Sequence, residues 1–233
     1  MAGLCQSVAM TARHFARLAG AGAAIAFALS VVPTGIPTSS AAPCPDVEVV
    51  FARGTFAPQG FGGIGEDFVN AVRSKLGTKS VGAYAVVYPA STDFPTAVDG
   101  IRDAANHIEN MAATCPNTKL VLGGYSQGAA VIGFTTANVV PHGVDPSDVP
   151  QPMPANVADH VAAVALIGKP KPTFMAAIDD PPVTIGPLYA SKAIELCAPG
   201  DPICSDGDDN AAHTSYTTIG MTDQAATFVA SKI

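Results

Sequence analysis

Charged residues are scarce in this sequence, making up 13% of its 233 positions, whereas hydrophobic residues make up 48%. A chain with so much apolar material can bury a core of its own, which excludes a largely disordered protein. Basic residues are the scarcer kind, with 12 lysines and arginines against 19 aspartates and glutamates. Because nucleic acids and anionic membranes attract positive charge, this balance argues against a nucleic-acid partner and against electrostatic attachment to such membranes.

Long hydrophobic runs are also missing after residue 42, so no later segment is long enough to cross a membrane. Before that point, Arg13, His14 and Arg17 precede the apolar run Leu18 to Val32, and small residues follow at Ser40-Ala41-Ala42. This pattern is typical of a secretory signal peptide, and the run is too short and too rich in alanine for a comfortable membrane span. We therefore expect residues 1–42 to be a signal peptide and residues 43–233 to form one exported domain, extracellular or associated with the cell wall.

Cysteines number only five, and Cys5 lies within the predicted signal peptide. An even number in the exported chain predicts two disulfides, and the sequence allows three pairings of the remaining four. These four are Cys44, Cys115, Cys197 and Cys204. Their spacing is not that of a zinc site and no histidine accompanies them in a ligand pattern, so we expect neither a metal nor a cofactor.

Neither an internal repeat nor a second domain is visible, and apolar runs alternate with segments of helical spacing instead. Strands are predicted at residues 46–53, 81–88, 119–125, 161–168 and 193–197, and helices at 66–76, 96–114, 126–138 and 222–233. Residues 60–65, 141–154 and 169–187 are predicted to be loops, the last two because they are rich in proline. This alternation predicts an α/β fold in which a parallel sheet is covered by helices on both faces.

One serine stands where such a fold exposes reactive groups. Residues Gly124-Tyr125-Ser126-Gln127-Gly128 join a predicted strand to a predicted helix in the G-x-S-x-G pattern of a nucleophile elbow. A turn that tight puts Ser126 under backbone strain and brings its neighbours too close for side chains at positions 124 and 128. The Gln127 amide and the helix N-terminus would face the space where negative charge develops in acyl transfer. The pattern predicts that Ser126 is a nucleophile, and the alternative is an ordinary glycine-rich turn.

A nucleophilic serine needs a base, and chain order selects one histidine. In hydrolases with this elbow an acid and then the histidine follow the serine, and ligands bind at the carboxyl ends of parallel strands. Four histidines fail these conditions: His14, His107, His142 and His160. His14 lies in the signal peptide, and His107 precedes the serine and faces out of its helix. His142 follows the serine with no acid between them, and His160 lies at the amino end of a strand. His213 remains as the predicted base.

The predicted acid is Asp201, which lies just past the carboxyl end of the strand at 193–197. It is at the tip of the segment from Cys197 to Cys204, and a disulfide closing that segment would hold the carboxylate rigidly. Rigidity suits an acid whose work is to orient the imidazole and stabilise the imidazolium.

Three rival acids, Asp206, Asp208 and Asp209, follow on a looser segment. Asp206, Asp208 and Asn210 also occupy the first three ligand positions of a calcium loop. Ala211 and Thr217 stand where that loop needs glycine and glutamate, so a solvated acidic loop is the better interpretation.

Together these residues resemble the cutinase family, in its secreted mycobacterial branch, over nearly all of the chain after residue 42. The resemblance rests on Phe51-Ala52-Arg53-Gly54-Thr55, on the elbow, and on the Cys197 to Cys204 segment with His213 a short step beyond. It implies disulfides Cys44–Cys115 and Cys197–Cys204, a triad of Ser126, Asp201 and His213, and an oxyanion hole from Thr55 and Gln127. It also implies a three-layer α/β hydrolase-type fold with a central, mainly parallel five-stranded sheet and no lid domain.

We therefore expect a monomeric secreted serine esterase that acts on short- to medium-chain acyl esters or lipids. Two alternatives stay open: a phospholipase or thioesterase with the same triad, and a non-catalytic lipid-binding or host-interaction protein on the same fold. Substrate is expected to enter over an apolar rim made of Phe94, Pro95, Leu188 and Ile203. The acidic stretch 205–210 stands where family members that act on waxy polymers tend to be apolar, which argues against cutin as the substrate.

Overall fold

Five parallel β-strands form one sheet in the structure, a computed structural model that describes residues 43–233. The strands are β1 (Val47–Ala52), β2 (Val81–Ala85), β3 (Lys119–Tyr125), β4 (Val161–Ile167) and β5 (Ala193–Leu196). They are hydrogen-bonded in the order β2-β1-β3-β4-β5, and every neighbouring pair runs parallel. The predicted α/β fold with a five-stranded parallel sheet is therefore confirmed, and the predicted signal peptide lies outside the described residues.

Helices cover both faces of the sheet. They are α1 (Gly62–Leu76), α2 (Val98–Thr114), α3 (Gln127–Thr135), α4 (Pro172–Ala177), α5 (Pro187–Ala190) and α6 (Met221–Ala230). Short 3₁₀ turns occupy Phe94–Ala97, Ala155–His160 and Ala212–Thr214. Successive side chains of a strand point to opposite faces, so in β1 Val49 and Phe51 pack towards α1 and α6, whereas Val50 packs towards α2 and α3. Both faces are buried, which explains why the strands read as continuous apolar runs.

Two of the predicted loops contain helices. Helix α1 begins at Gly62 rather than at residue 66. Its Gly65 packs directly on the Phe51 ring, from which a Cβ would lie only 2.5 Å away, so this helical position requires glycine. Glycine is a poor helix former, and here tertiary packing outweighs that preference. In the segment 169–187, Pro172 and Pro187 open α4 and α5, since proline is tolerated in the first turn of a helix.

Strand β2 ends at Ala85, three residues earlier than predicted. The reason is a competing acceptor, because the Asp103 carboxylate takes the N–H of Val87 at 2.8 Å. The chain is thus released from the sheet edge and turns towards the carboxyl ends of β1 and β3.

His107 faces inward, contrary to the sequence prediction. It lies three residues after Ala104 and four before Met111, both of which are buried, so it shares their face of α2. Its ring stacks on that of Tyr84 with centroids 3.6 Å apart, and its Nε2 contacts the largely buried carboxylate of Glu48. His107 is therefore a partner of a buried acid and not a solvated side chain.

Two disulfides join Cys44 to Cys115 and Cys197 to Cys204, across sequence separations of 71 and 7 residues. The first ties the segment before β1 to the C-terminus of α2, and the second closes a small loop directly after β5. Within residues 43–233, no helix combines the length and the apolar character needed to span a membrane.

Candidate active site

Ser126 lies at a sharp turn between β3 and α3, beside the point where the strand order reverses. Its backbone has φ 54° and ψ −119°, a conformation that costs energy for any residue with a Cβ. The elbow glycines make the turn possible, since a Cβ on Gly124 would lie 2.2 Å from the carbonyl oxygen of Gly128 and one on Gly128 would lie 2.0 Å from that of Ala52. The Ser126 N–H is held by the Ile167 carbonyl at 2.9 Å. These contacts fix a partly exposed hydroxyl at the carboxyl edge of the sheet.

His213 lies between Ser126 and Asp201. Its Nε2 is 2.8 Å from Ser126 Oγ, and its Nδ1 is 2.8 Å from Asp201 Oδ2. The 3₁₀ turn Ala212–Thr214 carries the imidazole, and the main-chain carbonyl of His213 accepts a hydrogen bond from the Tyr125 hydroxyl. The histidines at 107 and 160 have other partners, Glu48 and the Pro116 carbonyl.

Asp201 is completely buried, and each oxygen of its carboxylate is occupied. The Ile203 N–H donates to Oδ1 at 2.8 Å, and the Tyr216 hydroxyl donates to Oδ2 at 2.6 Å, in addition to the bond from His213. The Cys197–Cys204 disulfide closes the loop that carries it. A buried charge without such donors would be strongly destabilising, so this loop and Tyr216 together make an ionised carboxylate possible here.

The rival acids lie elsewhere. Asp206 is exposed and pairs with Lys171 at 2.9 Å, and the Asp209 side chain accepts from the Ala211 N–H at 2.9 Å. In the described part of the chain, the one cluster with metal-ligand spacing is Cys197, Asp201 and Cys204. Its two sulfurs are bonded to each other and cannot act as thiolate ligands, so this cluster does not suit a metal.

Two tyrosines contact His213 or Asp201, and sequence reasoning identified neither. Tyr125 packs its ring 5.1 Å from that of His213, and the Tyr216 ring meets the Tyr125 ring edge-on at 5.8 Å. Burial raises the pKa of Tyr125 and of Tyr216, so both phenols keep the protons they donate. Their proximity arises from the fold, and the one signal in the sequence is that Tyr125 lies inside the elbow and Tyr216 three residues after His213.

The predicted oxyanion donors Thr55 and Gln127 meet beside Ser126. Thr55 Oγ1 and Gln127 Oε1 are 3.5 Å apart, and Gln127 Nε2 donates to the Ser91 carbonyl at 2.9 Å. The loop after β1 and the N-terminus of α3 are thereby held against each other. Both residues line the same cavity wall as Ser126 and His213.

Arg53 is a further residue that sequence reasoning did not assign a role. Its guanidinium is buried and donates to the carbonyls of Ala57 at 3.1 Å and Tyr88 at 2.6 Å, with longer contacts to Val86 and Pro89. Tyr88 returns a hydrogen bond from its hydroxyl to the Arg53 carbonyl. Within residues 43–233, no carboxylate lies within ion-pair distance of Arg53. The arginine therefore joins the loop that carries Thr55 to the segment after β2, through carbonyl groups and through the Tyr88 ring, whose centroid lies 5.1 Å from the guanidinium carbon.

A cavity of about 560 Å³ opens beside Ser126 and His213, and apolar side chains line most of it. Three of the predicted rim residues line it: Phe94, Pro95 and Ile203. Leu188 does not, because α5 ends just before the amino end of β5 and so lies at the opposite edge of the sheet. Asp206, Asp208 and Asp209 are also absent from the wall.

This geometry permits acyl transfer. An imidazole held between a hydroxyl and a carboxylate can take the hydroxyl proton while the acid stabilises the resulting imidazolium. The strained turn presents the Ser126 oxygen to the cavity, and α3 begins directly after it. A helix N-terminus can stabilise an oxyanion that forms beside it. The apolar cavity offers room for the substituent of an ester.

Comparison with known proteins agrees with this chemistry. The family model described as "Cutinase" matches residues 43–233. The chain is 60% identical over 168 residues to "Probable carboxylesterase Culp5" of Mycobacterium tuberculosis, which covers 72% of this chain and 96% of that protein. It is 48% identical over 222 residues to "Phospholipase Culp4" of the same organism, covering 95% of this chain and 93% of that one. A solved structure of Trichoderma reesei cutinase in complex with a phosphonate inhibitor matches with a TM-score of 0.61 and 35% identity, over 80% of this chain and 76% of that one.

Proposed function

The chain belongs to the cutinase family and is a carboxylic ester hydrolase, and we propose that it cleaves short- to medium-chain acyl esters or lipids through a Ser-His-Asp acyl-enzyme mechanism. The observation that carries this proposal is the continuous hydrogen-bond chain from Ser126 Oγ through His213 to Asp201. Each link is 2.8 Å long, which is within the range for proton transfer between side chains.

In the first half of the reaction, His213 Nε2 takes the Ser126 proton as Oγ attacks the ester carbonyl carbon. The imidazolium then gives that proton to the departing alcohol, leaving an acyl group on Oγ. In the second half, His213 takes a proton from water, the water oxygen attacks the acyl carbon, and the proton returns to Ser126 as the acid leaves. Asp201 holds Nδ1–H throughout and so fixes the tautomer that leaves Nε2 free to accept.

The two tetrahedral intermediates need donors for their negative oxygen. The Gln127 N–H, together with the N–H and hydroxyl of Thr55, is proposed to provide them. The meeting of these two residues beside Ser126 supports this role. Removing one such donor typically lowers turnover about a hundred- to a thousand-fold. A Thr55 donor displaced from the oxyanion would therefore lower turnover as its removal would.

Export of the protein is part of the proposal. The signal-like pattern in residues 1–42 supports it, and so do two disulfides, which persist in oxidising compartments. An exported esterase would meet lipids and soluble esters outside the cell.

A phospholipase activity is the second candidate for the same site. It is favoured by the similarity to "Phospholipase Culp4", which extends over 95% of this chain, and by the apolar cavity beside Ser126. Hydrolysis of a phosphatidylcholine and of p-nitrophenyl butyrate by the same preparation would separate the two activities.

The decisive variant is Ser126→Ala, which removes the attacking oxygen. Turnover of p-nitrophenyl butyrate should fall by on the order of a million-fold, and labelling by an organophosphonate should disappear. Ser231→Ala, which alters an exposed serine after α6, is the matched control and should keep full activity. Retention of more than a small fraction of activity by Ser126→Ala would refute the mechanism, and an inactive wild-type protein would favour the non-catalytic alternative.

A further inference from the structure

The cavity beside Ser126 extends well beyond the reacting groups. On α3 its lining residues are Gln127, Ala130, Val131, Phe134 and Thr135. Their spacing is that of one helix face, so the cavity follows α3 from its first turn to its last. Since an α-helix rises about 1.5 Å per residue, Phe134 lies about 12 Å along the helix from Ser126.

Helix α2 forms a second wall in the same way. Val98, Ile101 and Ala105 line the cavity and lie on one face of the helix. Because α2 and α3 each follow a strand of the same parallel sheet, both begin at the carboxyl edge and run in the same direction. The cavity therefore deepens away from the catalytic edge between two helices, with Phe174 and Met175 of α4 closing one side.

Residues 137–152, which we name the roof segment, cover this channel. Val140, Val144 and Val149 line the cavity and are half-buried, whereas Asp145 is exposed on the outside. The segment thus turns apolar side chains towards an apolar space that protein atoms do not fill. Folded interiors are otherwise close-packed, and a concave apolar space of this size is typical of ligand sites.

We propose that this channel takes the acyl chain of the ester, lying along α3 under the roof segment with its carbonyl at Ser126. An extended chain advances about 3.5 Å per three bonds, so a length of 12 Å corresponds to on the order of ten carbons. A methylene needs about the room of one water, about 30 Å³, and the cavity volume therefore leaves space for a chain of this length. The inference rests on the ester hydrolysis proposed above and adds where the acyl group lies and how long it is.

Polar groups in the wall fit this assignment. Ser126 and His213 line the channel at the catalytic edge. Two acidic residues, Asp148 and Asp180, also line it, and Asp148 is exposed to solvent. Asp180 is half-buried, and burial, with Asp179 adjacent, raises its pKa. A carboxyl that holds its proton more readily is a less costly neighbour for an acyl chain.

The test is a series of p-nitrophenyl esters from acetate through butyrate and octanoate to decanoate, each below its aggregation limit. For the wild-type protein, kcat/KM should rise by up to about fourfold per added methylene, the factor that corresponds to burial of one methylene. Ala105→Leu places three further carbons in the channel, and should lower the ratio of decanoate to acetate kcat/KM by at least about tenfold. Phe134→Ala lengthens the channel and should move the optimum to longer chains. Ala113→Leu, the same exchange at an exposed position of α2, is the control and should leave the series unchanged.

Two results would overturn the inference while leaving ester hydrolysis intact. One is a wild-type kcat/KM that falls steadily from acetate to decanoate, and the other is an Ala105→Leu variant whose decanoate to acetate ratio of kcat/KM equals that of the wild type. If no ester is hydrolysed, the proposed function fails instead, and the channel is then tested by binding. Calorimetry with decanoate and Ser126→Ala should detect binding that Ala105→Leu weakens at least about tenfold. Absence of decanoate binding in that experiment would also overturn the inference.

Discussion

Tyr216 donates its hydroxyl hydrogen to Asp201 Oδ2, the same oxygen that accepts from His213. The two donors share the charge of a carboxylate that has no access to solvent. The Tyr216 hydroxyl also accepts the N–H of Ala198 at 3.1 Å and contacts Cys204 Sγ at 3.3 Å. One phenol therefore joins the acid, the disulfide loop and the end of β5, and we assign it a positioning role.

Tyr216→Phe keeps the ring and removes this donor. The carboxylate charge is then less well satisfied, so Asp201 favours the imidazolium of His213 more strongly. We expect the acidic limb of the pH profile of kcat/KM to move to higher pH, and the free energy of unfolding to fall by about 1–3 kcal/mol. Because burial raises the pKa of Tyr216, the tyrosine itself does not contribute an alkaline limb near neutral pH.

Tyr84→Phe is the control for this prediction, since the Tyr84 hydroxyl also donates to a carboxylate, that of Asp103, on the outer edge of the sheet. It should leave the pH profile unchanged. An unaltered profile in Tyr216→Phe would show that the phenol only fills space.

The two disulfides should have separable effects. Chain-entropy arithmetic assigns about 4 kcal/mol to the closure of the long Cys44–Cys115 loop and about 2 kcal/mol to the short Cys197–Cys204 loop. Replacing Cys197 and Cys204 together by serine should nevertheless lower kcat more than replacing Cys44 and Cys115, because the short loop holds Asp201. The check is to measure kcat of both double variants well below their melting temperatures, with circular dichroism to show that each variant is folded. Equal kcat values in the two folded double variants would contradict it.

Arg53 should affect turnover without touching substrate. Arg53→Lys keeps the charge but loses the planar fork that reaches several carbonyls, so the Thr55 loop loses part of its anchor. We expect kcat to fall by about tenfold with little change in KM, since a displaced oxyanion donor affects the transition state most. Arg102→Lys, at an exposed arginine paired with Asp99, is the control and should be neutral. A raised KM with unchanged kcat would point to substrate binding instead.

The sequence predicted the sheet well because the central strands β1, β3 and β4 are buried on both faces and their apolar runs are nearly continuous. Ser126, Asp201 and His213 could be selected because chain order and the carboxyl ends of strands restrict the choice to few residues. The short helices α4 and α5 could not, since they begin at prolines that also mark loops. His107 was misplaced because its partner, Glu48, is a buried acid on β1 that no local pattern announces.

Tyr216, Arg53 and the channel along α3 share one reason for being missed. Each depends on which residues distant in sequence meet in the fold. Arg53 is a charged residue directly after the apolar strand β1. A charge in such an apolar setting could have indicated a buried guanidinium that binds carbonyl groups. Residues 141–154, which overlap most of the roof segment, were predicted as a surface connection, and the loop interpretation holds. Val140, Val144 and Val149 nevertheless line the cavity and are half-buried.

Asp201 and His213 both follow β5, the last strand of the sheet, whereas Ser126 lies near the middle of the chain. On the mechanism proposed, a nascent chain that has built the sheet and the elbow still lacks its base and its acid. Hydrolysis can begin only when the final segment has been synthesised and has folded back over Tyr125. The order of residues along the chain thus ties the onset of hydrolysis to the completion of the polypeptide and not to the formation of the sheet.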